Sequence, residues 1–169
     1  MAAAAPTISI TVSEVIQRPL EEVRAQFADI PYHIQANVHP ELSLSLTTIN
    51  GRRCRFRQEV RIVGLKQVDD IMNTVLDNGD LLSEVVAGTN RGLEIHFSYT
   101  ATPTDGTLVT ARIEVPNEGL KRFLGPLFAF GVRRAAQKAL GQDRRDLESG
   151  RYRAYRDRAV RTRPRHPVV

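Results

Sequence analysis

The sequence predicts an α+β fold in which a curved antiparallel sheet of about six or seven strands wraps around a long C-terminal helix, with two short helices after the first strand. Three observations support this prediction. Apolar and polar residues alternate over most of residues 7–115, which is the period of half-buried strands. Turn sequences rich in Asn, Asp and Gly interrupt the alternation. After residue 118, apolar residues recur at intervals of three and four, as in an amphipathic helix.

The first strand and the two short helices are predicted from the N-terminal quarter of the chain. Residues 7–16 alternate β-branched and polar side chains, which predicts a strand. Pro19, followed closely by two glutamates, is typical of a first helical turn, because proline lacks the amide proton that would be unpaired there and carboxylates favour the positive end of a helix. This helix is predicted to end before Pro31. A second short helix or loop follows, and it carries His33 and His39.

The middle of the chain predicts a meander of antiparallel strands. Leucines alternate with Ser and Thr over residues 42–47, and arginines alternate with mostly apolar residues after the tight-turn signal Asn50-Gly51. A strongly curved sheet cannot cover its own concave face, so the long helix is expected to lie across it. Further strands are predicted at Gln67–Leu76, Leu81–Ala87, Leu93–Thr102 and Thr107–Val115.

The space between sheet and helix is predicted to be an apolar cavity for a small hydrophobic ligand. Few bulky side chains are available to fill it, since the chain has no Trp, six Phe and four Tyr. Gln58 shares a strand face with two apolar residues and is the candidate polar group for orienting a ligand. The full set of candidate lining residues is Leu44, Phe56, Gln58, Val60, Phe97, Phe123, Leu127 and Phe128.

His96 has two interpretations that depend on strand register. If Ile95 and Phe97 face the cavity, His96 and Glu94 face water. In the opposite register, His96 and Glu94 form an acid–base pair inside the cavity.

Charge and composition restrict the classes of partner. The net charge is +5, but seven arginines and one aspartate follow residue 149, and the preceding residues carry 17 basic and 18 acidic side chains. A nearly neutral domain over residues 7–149 is predicted between a flexible N-terminus (1–6) and a basic, flexible tail (150–169). Nucleic-acid binding is therefore not expected, and the tail offers at most weak contact with an anionic surface.

The cellular compartment of the protein is predicted from its cysteine content and hydropathy. Cys54 is the only cysteine, so an internal disulfide is excluded, and no run of 18 apolar residues exists for a membrane span. The alanine-rich start lacks the basic residues of a secretory signal. A cytoplasmic protein is expected. The oligomeric state is not predicted.

The order of elements resembles the START-like, or SRPBCC, superfamily. The resemblance is carried by the strand TISITVSEVI, the segment RPLEEVRAQFADI, the strand meander, and a terminal helix that ends near DRRDLES; it covers residues 7–150. The superfamily includes polyketide cyclases and lipid-transfer domains, so the resemblance implies a helix-grip fold and a hydrophobic, aromatic or polyketide-like ligand. For an enzyme of this kind it implies cyclisation, dehydration or elimination without a cofactor. His33, His39 and Tyr99 are then the candidates for moving protons.

The segment DIPYHIQANVHP also resembles the iron-binding segment in the catalytic domain of Rieske-type ring-hydroxylating oxygenases, Asp-x-x-His-x-x-x-x-His-Pro. In these oxygenases, a later aspartate on the terminal helix completes the set of iron ligands. For this chain the resemblance therefore implies that His33, His39 and Asp143 hold iron(II). The chain departs from the pattern in two ways. One extra residue separates the histidines, and Asp29 lies one residue further from His33.

A Rieske iron–sulfur centre needs a Cys/His cluster, which a chain with one cysteine cannot supply. Three functions therefore stay open. They are a metal-free ligand-binding protein or cyclase-like enzyme, a stand-alone non-heme iron oxygenase acting on an aromatic substrate, and a non-catalytic carrier or sensor.

Overall fold

The computed structural model describes residues 7–62, 64–117 and 121–161. It confirms the predicted α+β fold, with two short helices after the first strand and a 28-residue helix after the last strand. The elements, in chain order, are β1 (Thr7–Ile16), α1 (Leu20–Ala28), α2 (Ile30–Ala36), β2 (Ser43–Asn50), β3 (Arg53–Ile62), β4 (Leu65–Val75), β5 (Leu81–Gly88), β6 (Glu94–Ala101), β7 (Thr107–Pro116), α3 (Lys121–Glu148) and α4 (Arg151–Arg161).

The seven strands form one antiparallel sheet in the order β1-β7-β6-β5-β4-β3-β2. Consecutive strands from β2 to β7 are neighbours, and β1 joins the sheet beside β7. The pairing shifts register between Leu46 and Thr48 in β2 and between Asp70 and Ile71 in β4. Such bulges add local twist and bend, which helps the sheet curve around a helix.

The C-terminal half of α3 packs against α1 and α2, and this contact positions the candidate site. Gln26 of α1 donates a hydrogen bond to Asp143 at 3.1 Å, and Tyr32 of α2 donates one to Asp146 at 2.7 Å. All four side chains are buried. Polar groups of three helices therefore meet at one end of α3, while β1 runs along the same helix.

The described part of the predicted flexible tail is helical, which corrects that prediction. Residues 151–161 form α4, and Tyr152 is 2% exposed with its ring 4.8 Å from the ring of Tyr32. Arg153 of α4 also pairs with Glu22 at 2.6 Å. The tyrosine supplies the packing surface of an otherwise arginine-rich segment. Residues 162–169, like residues 1–6, lie outside the described residues.

Among the helices that the structure describes, none is both long enough and apolar enough to cross a membrane.

Candidate metal centre and ligand cavity

His33 of α2, His39 of the following loop and Asp143 of α3 converge on one buried point. One potential ligand atom from each residue lies within 4.8 Å of the others. His33 Nε2 is 3.1 Å from Asp143 Oδ1, and His39 Nε2 is 3.5 Å from the same oxygen. All three side chains are buried. The structure thus brings together the residues that the iron-site resemblance implied.

The backbone around α2 explains how two histidines six positions apart face the same carboxylate. The Asp29 side chain caps the helix by accepting a hydrogen bond from Tyr32 N at 3.0 Å. The helix ends at Ala36, and the next residue, Asn37, has a left-handed conformation (φ 49°, ψ 51°). His39 then stacks on His33, with ring centroids 5.3 Å apart and an interplanar angle of 14°. The extra residue between the histidines is accommodated at this helix end.

The hydrogen bonds of the Nδ1 atoms determine the tautomers of both histidines. His33 Nδ1 donates to the backbone oxygen of Asp29 at 2.9 Å, since a carbonyl oxygen can only accept. His39 Nδ1 donates to Gln142 Oε1 at 2.9 Å. That amide orientation follows from its other end, where Gln142 Nε2 donates to Glu41 Oε2 at 2.8 Å. In both neutral imidazoles, Nε2 therefore carries the lone pair.

Asp143 governs the electrostatics of the site. Burial alone lowers the pKa of His33, but the hydrogen bond to Asp143, the charge of Asp143 and the contact with Asp29 outweigh it, so the pKa lies above the ordinary value. The fully buried Gln26 donates a further hydrogen bond to Asp143 Oδ1. This carboxylate oxygen is therefore the meeting point of an amide donor and two imidazoles.

A cavity of about 230 Å³ lies between the sheet and α3, and the three residues form part of its wall. Most of the remaining wall is aliphatic or aromatic, including Phe27, Ile30 and Leu140. The structure places six of the predicted lining residues there: Leu44, Phe56, Gln58, Val60, Phe97 and Phe128.

Two predicted lining residues are not on the described wall. Leu127 is 51% exposed on the outer side of α3, close to the exposed Phe130, so its predicted position in the cavity is wrong. The helical period turns Phe128 inward and its neighbour outward. The side chain of Phe123 lies outside the described residues.

Tyr99, a predicted proton-transfer residue, is buried behind the cavity wall. Its ring packs 5.7 Å from the ring of Phe27, which itself lines the cavity. Burial, and next the charge of Asp143, raise the pKa of the Tyr99 phenol. Its hydroxyl has no hydrogen-bond partner within the described residues. Tyr99 is therefore in the packing layer rather than at the ligand surface.

His96 points away from the cavity. Ile95 and Phe97 line the cavity, and His96 pairs with Asp80 at 3.2 Å on the other face of the sheet. The alternative register, with His96 and Glu94 as an acid–base pair inside the cavity, is wrong.

A row of buried polar residues on the sheet wall was not predicted. Gln67, Asp69 and Asn73 lie on the cavity face of β4, where Ile71 occupies the position between the last two, and Ser83 and Asn90 join them. The even spacing of Gln67, Asp69 and Asn73 in the sequence could have shown that they share one face of the strand, because residues two apart in a strand point to the same side.

Solved structures share this architecture, although no family model and no curated protein matches the sequence. The protein TTHA0849 from Thermus thermophilus is 16% identical with a TM-score of 0.74, covering 85% of this chain and 99% of its own. The Zhui aromatase/cyclase from Streptomyces sp. R1128 is 11% identical with a TM-score of 0.68, covering 84% and 96%. A START superfamily protein from Mycobacterium smegmatis is 20% identical with a TM-score of 0.58, covering 88% and 98%.

The chain has the START-like helix-grip fold. At 11–20% sequence identity these structures show a shared fold and not a shared function, since START-like folds serve many functions. The function of this chain therefore depends on the residues of its own site.

Proposed function

We propose that this protein binds a small hydrophobic molecule in its cavity and acts on it with a single metal ion held by His33, His39 and Asp143. Iron(II) is the metal that this set of ligands favours. The observation that carries the proposal is the convergence of two imidazole nitrogens on one buried carboxylate oxygen. The three atoms are His33 Nε2, His39 Nε2 and Asp143 Oδ1.

When both imidazoles are neutral, the three atoms are acceptors that repel one another unless a cation lies between them. A proton on His33 Nε2 satisfies that atom and Asp143, and among the three residues it leaves His39 Nε2 without a donor. A divalent cation satisfies all three atoms at once, so the donor geometry fits a metal better than a proton.

The chemistry of the donor set favours iron(II). Two imidazoles and one carboxylate on one side of a metal leave the other positions open for oxygen and substrate, and non-heme iron(II) oxygenases use this arrangement. Metal-binding histidines usually donate their other N–H to an oxygen, which fixes the ring. His33 does so to Asp29 O, and His39 does so to Gln142 Oε1.

The rest of the cavity binds and orients the hydrophobic molecule. Phe27 and Ile30 form the wall next to the histidines, and Phe97 and Phe128 add aromatic surface. This apolar wall excludes water from the ligand and strengthens the electrostatic interactions of the triad. Because the chain has one cysteine and no iron–sulfur ligand set, electrons for oxygen chemistry would come from a separate reductant or from the substrate itself.

Metal content tests this proposal. Tag-free protein incubated anaerobically with iron(II) and then desalted is expected to retain about one iron per chain, measured by inductively coupled plasma mass spectrometry. The His33→Ala/His39→Ala double variant is expected to retain none. His96→Ala is the matched control, because His96 is partly exposed on the other face of the sheet, and it should keep the iron. Equal iron in the wild type and the double variant would contradict the proposal.

A metal-free acid–base enzyme is the second candidate. It is favoured by the His33 Nε2–Asp143 Oδ1 contact of 3.1 Å and by the raised pKa of His33, which suit a histidine that moves a proton. The cyclisation, dehydration or elimination expected from the sequence belongs to this candidate. Absence of specific metal in the wild type would leave it, or a non-catalytic carrier, as the function.

A further inference from the structure

A polar cluster on the sheet wall contains a buried hydrogen-bond acceptor without a partner. Asn90 follows β5, is 3% exposed and lines the cavity together with Gln67 and Asp69 of β4. Asn90 Nδ2 donates to Gln67 Oε1 at 2.5 Å and to Asp69 Oδ2 at 2.7 Å. Both amide protons are therefore used, and this fixes the amide orientation. Asn90 Oδ1 is buried and accepts no hydrogen bond within the described residues.

The backbone holds Asn90 in this position. The pairing shift opposite Asp70 brings Gly88 against β4, where a side-chain Cβ would lie 2.2 Å from the backbone oxygen of Val68. Gly88 also has φ +115°, a backbone conformation that residues with a side chain rarely adopt. Thr89 N then donates to Val68 O at 3.1 Å, and Asn90 N donates to Asp69 Oδ1 at 2.7 Å. The cluster is thus built into the fold rather than carried on a free loop.

We infer that Asn90 Oδ1 binds a hydroxyl group of an aromatic ligand, in a subsite supported by Asp69 and Gln67. This inference rests on the ligand cavity of the proposed function and names the class of its ligand. A buried acceptor loses its hydrogen bond to water, so a ligand that supplies a donor there recovers it.

A neutral hydroxyl fits the subsite better than an ammonium group. Each carboxyl oxygen of Asp69 already accepts a hydrogen bond from Asn90, whereas the uncharged amide oxygen of Asn90 accepts none within the described residues. The surrounding wall is mostly apolar, and burying an ammonium group there costs more than burying a neutral hydroxyl.

The distances suit a small ring system. Leu44 pairs with Gln58, and Gln58 pairs with Asp69, so Asp69 lies two strand spacings, about 10 Å, from Leu44. Leu44 adjoins His33 and His39 at the other end of this path. A fused two-ring aromatic molecule with one hydroxyl therefore has a size that reaches the polar cluster from the side of the histidines.

The test compares the binding of 2-naphthol and 2-methoxynaphthalene to metal-free protein by fluorescence titration. The wild type is expected to bind 2-naphthol about tenfold more tightly, since only the hydroxyl donates a hydrogen bond. Asn90→Ala is expected to lose this preference while keeping its affinity for 2-methoxynaphthalene. His96→Ala, which changes a residue on the other face of the sheet, should keep the preference.

A readout on the wild type does not depend on the folding of any variant. The side-chain amide signals of Asn90 in ¹⁵N-resolved NMR spectra are expected to shift with 2-naphthol and not with 2-methoxynaphthalene. Equal affinity of the two compounds for the wild type would overturn the inference. A preference that survives in Asn90→Ala would also overturn it.

The outcomes separate this inference from the proposed function. Binding of both compounds without a hydroxyl preference would reject the subsite and leave the hydrophobic cavity in place. An Asn90-dependent preference in a protein that takes up no iron would support the subsite and reject the metal site. No binding of either compound would overturn the ligand cavity and the subsite together.

Discussion

At the scale of single residues, the imidazole of His39 is oriented by side chains that lie behind it. Gln142 accepts from His39 Nδ1 and donates to Glu41, and Lys138 lies 3.4 Å from the same carboxylate. Burial alone raises the pKa of Glu41, but the hydrogen bond from Gln142 and the charge of Lys138 outweigh it and hold the pKa below its usual value. Glu41 therefore stays an acceptor at neutral pH, which keeps the amide oxygen of Gln142 directed at His39.

Replacing Gln142 should weaken metal binding without unfolding the protein. Gln142→Leu removes the acceptor of His39 Nδ1, and loss of such a supporting contact typically costs about 10- to 100-fold in metal affinity. Competition with a chromophoric chelator under anaerobic conditions measures the change. Gln137→Leu, an exposed position on the same helix, is the matched control and should bind iron(II) like the wild type. Unchanged affinity in Gln142→Leu would show that this residue does not support a metal ligand.

At the scale of elements, the site depends on which end of α3 meets α1 and α2. From the sequence, Asp143 lies about 38 Å along an ideal helix from residue 118, so local patterns did not place it near the cavity. The packing of α1 and α2 against the C-terminal half of α3 brings Asp143 to His33 and His39. Such long-range contacts are not encoded in local periodicity. The periodicity did predict the strands and the two short helices.

The fourth helix is a second element that local patterns did not reveal. Its arginines suggested a solvated tail, whereas Tyr152 packs against Tyr32 and Tyr155 extends the same ring cluster. The Tyr32 hydroxyl in turn donates to Asp146, which lies three positions after the proposed metal ligand Asp143. Helix α4 therefore covers the end of α3 that carries the site.

Removing α4 should destabilise the whole domain. A chain ending at residue 150 loses the buried Tyr152 ring, and loss of a buried aromatic side chain costs about 3 kcal/mol. Urea unfolding followed by circular dichroism measures this difference. Val160→Ala, which changes an exposed residue of α4, is the control and should unfold like the unchanged chain. Equal stability of the shortened and the unchanged chain would contradict a structural role for α4.

At the scale of the whole molecule, the protein combines an apolar hollow with two polar regions on its wall. One is the triad at the end of α3, and the other is the cluster around Asn90 on the sheet. The alternation of strands placed Phe56 with Val60, and Phe97 with Ile95, on one strand face, and the structure turns both faces inward. The alternation did not reveal the second polar region, because whether Gln67 and Asp69 face ligand or water depends on the register and curvature of the complete sheet.

The most direct test of the central claim is an anomalous diffraction measurement at the iron edge on crystals grown anaerobically with iron(II). The account predicts one strong anomalous peak between His33 Nε2, His39 Nε2 and the Asp143 carboxylate, at the wall of the cavity. Crystals that show no peak there, although iron is present in the solution, would contradict a metal centre and leave a metal-free hydrophobic-ligand protein.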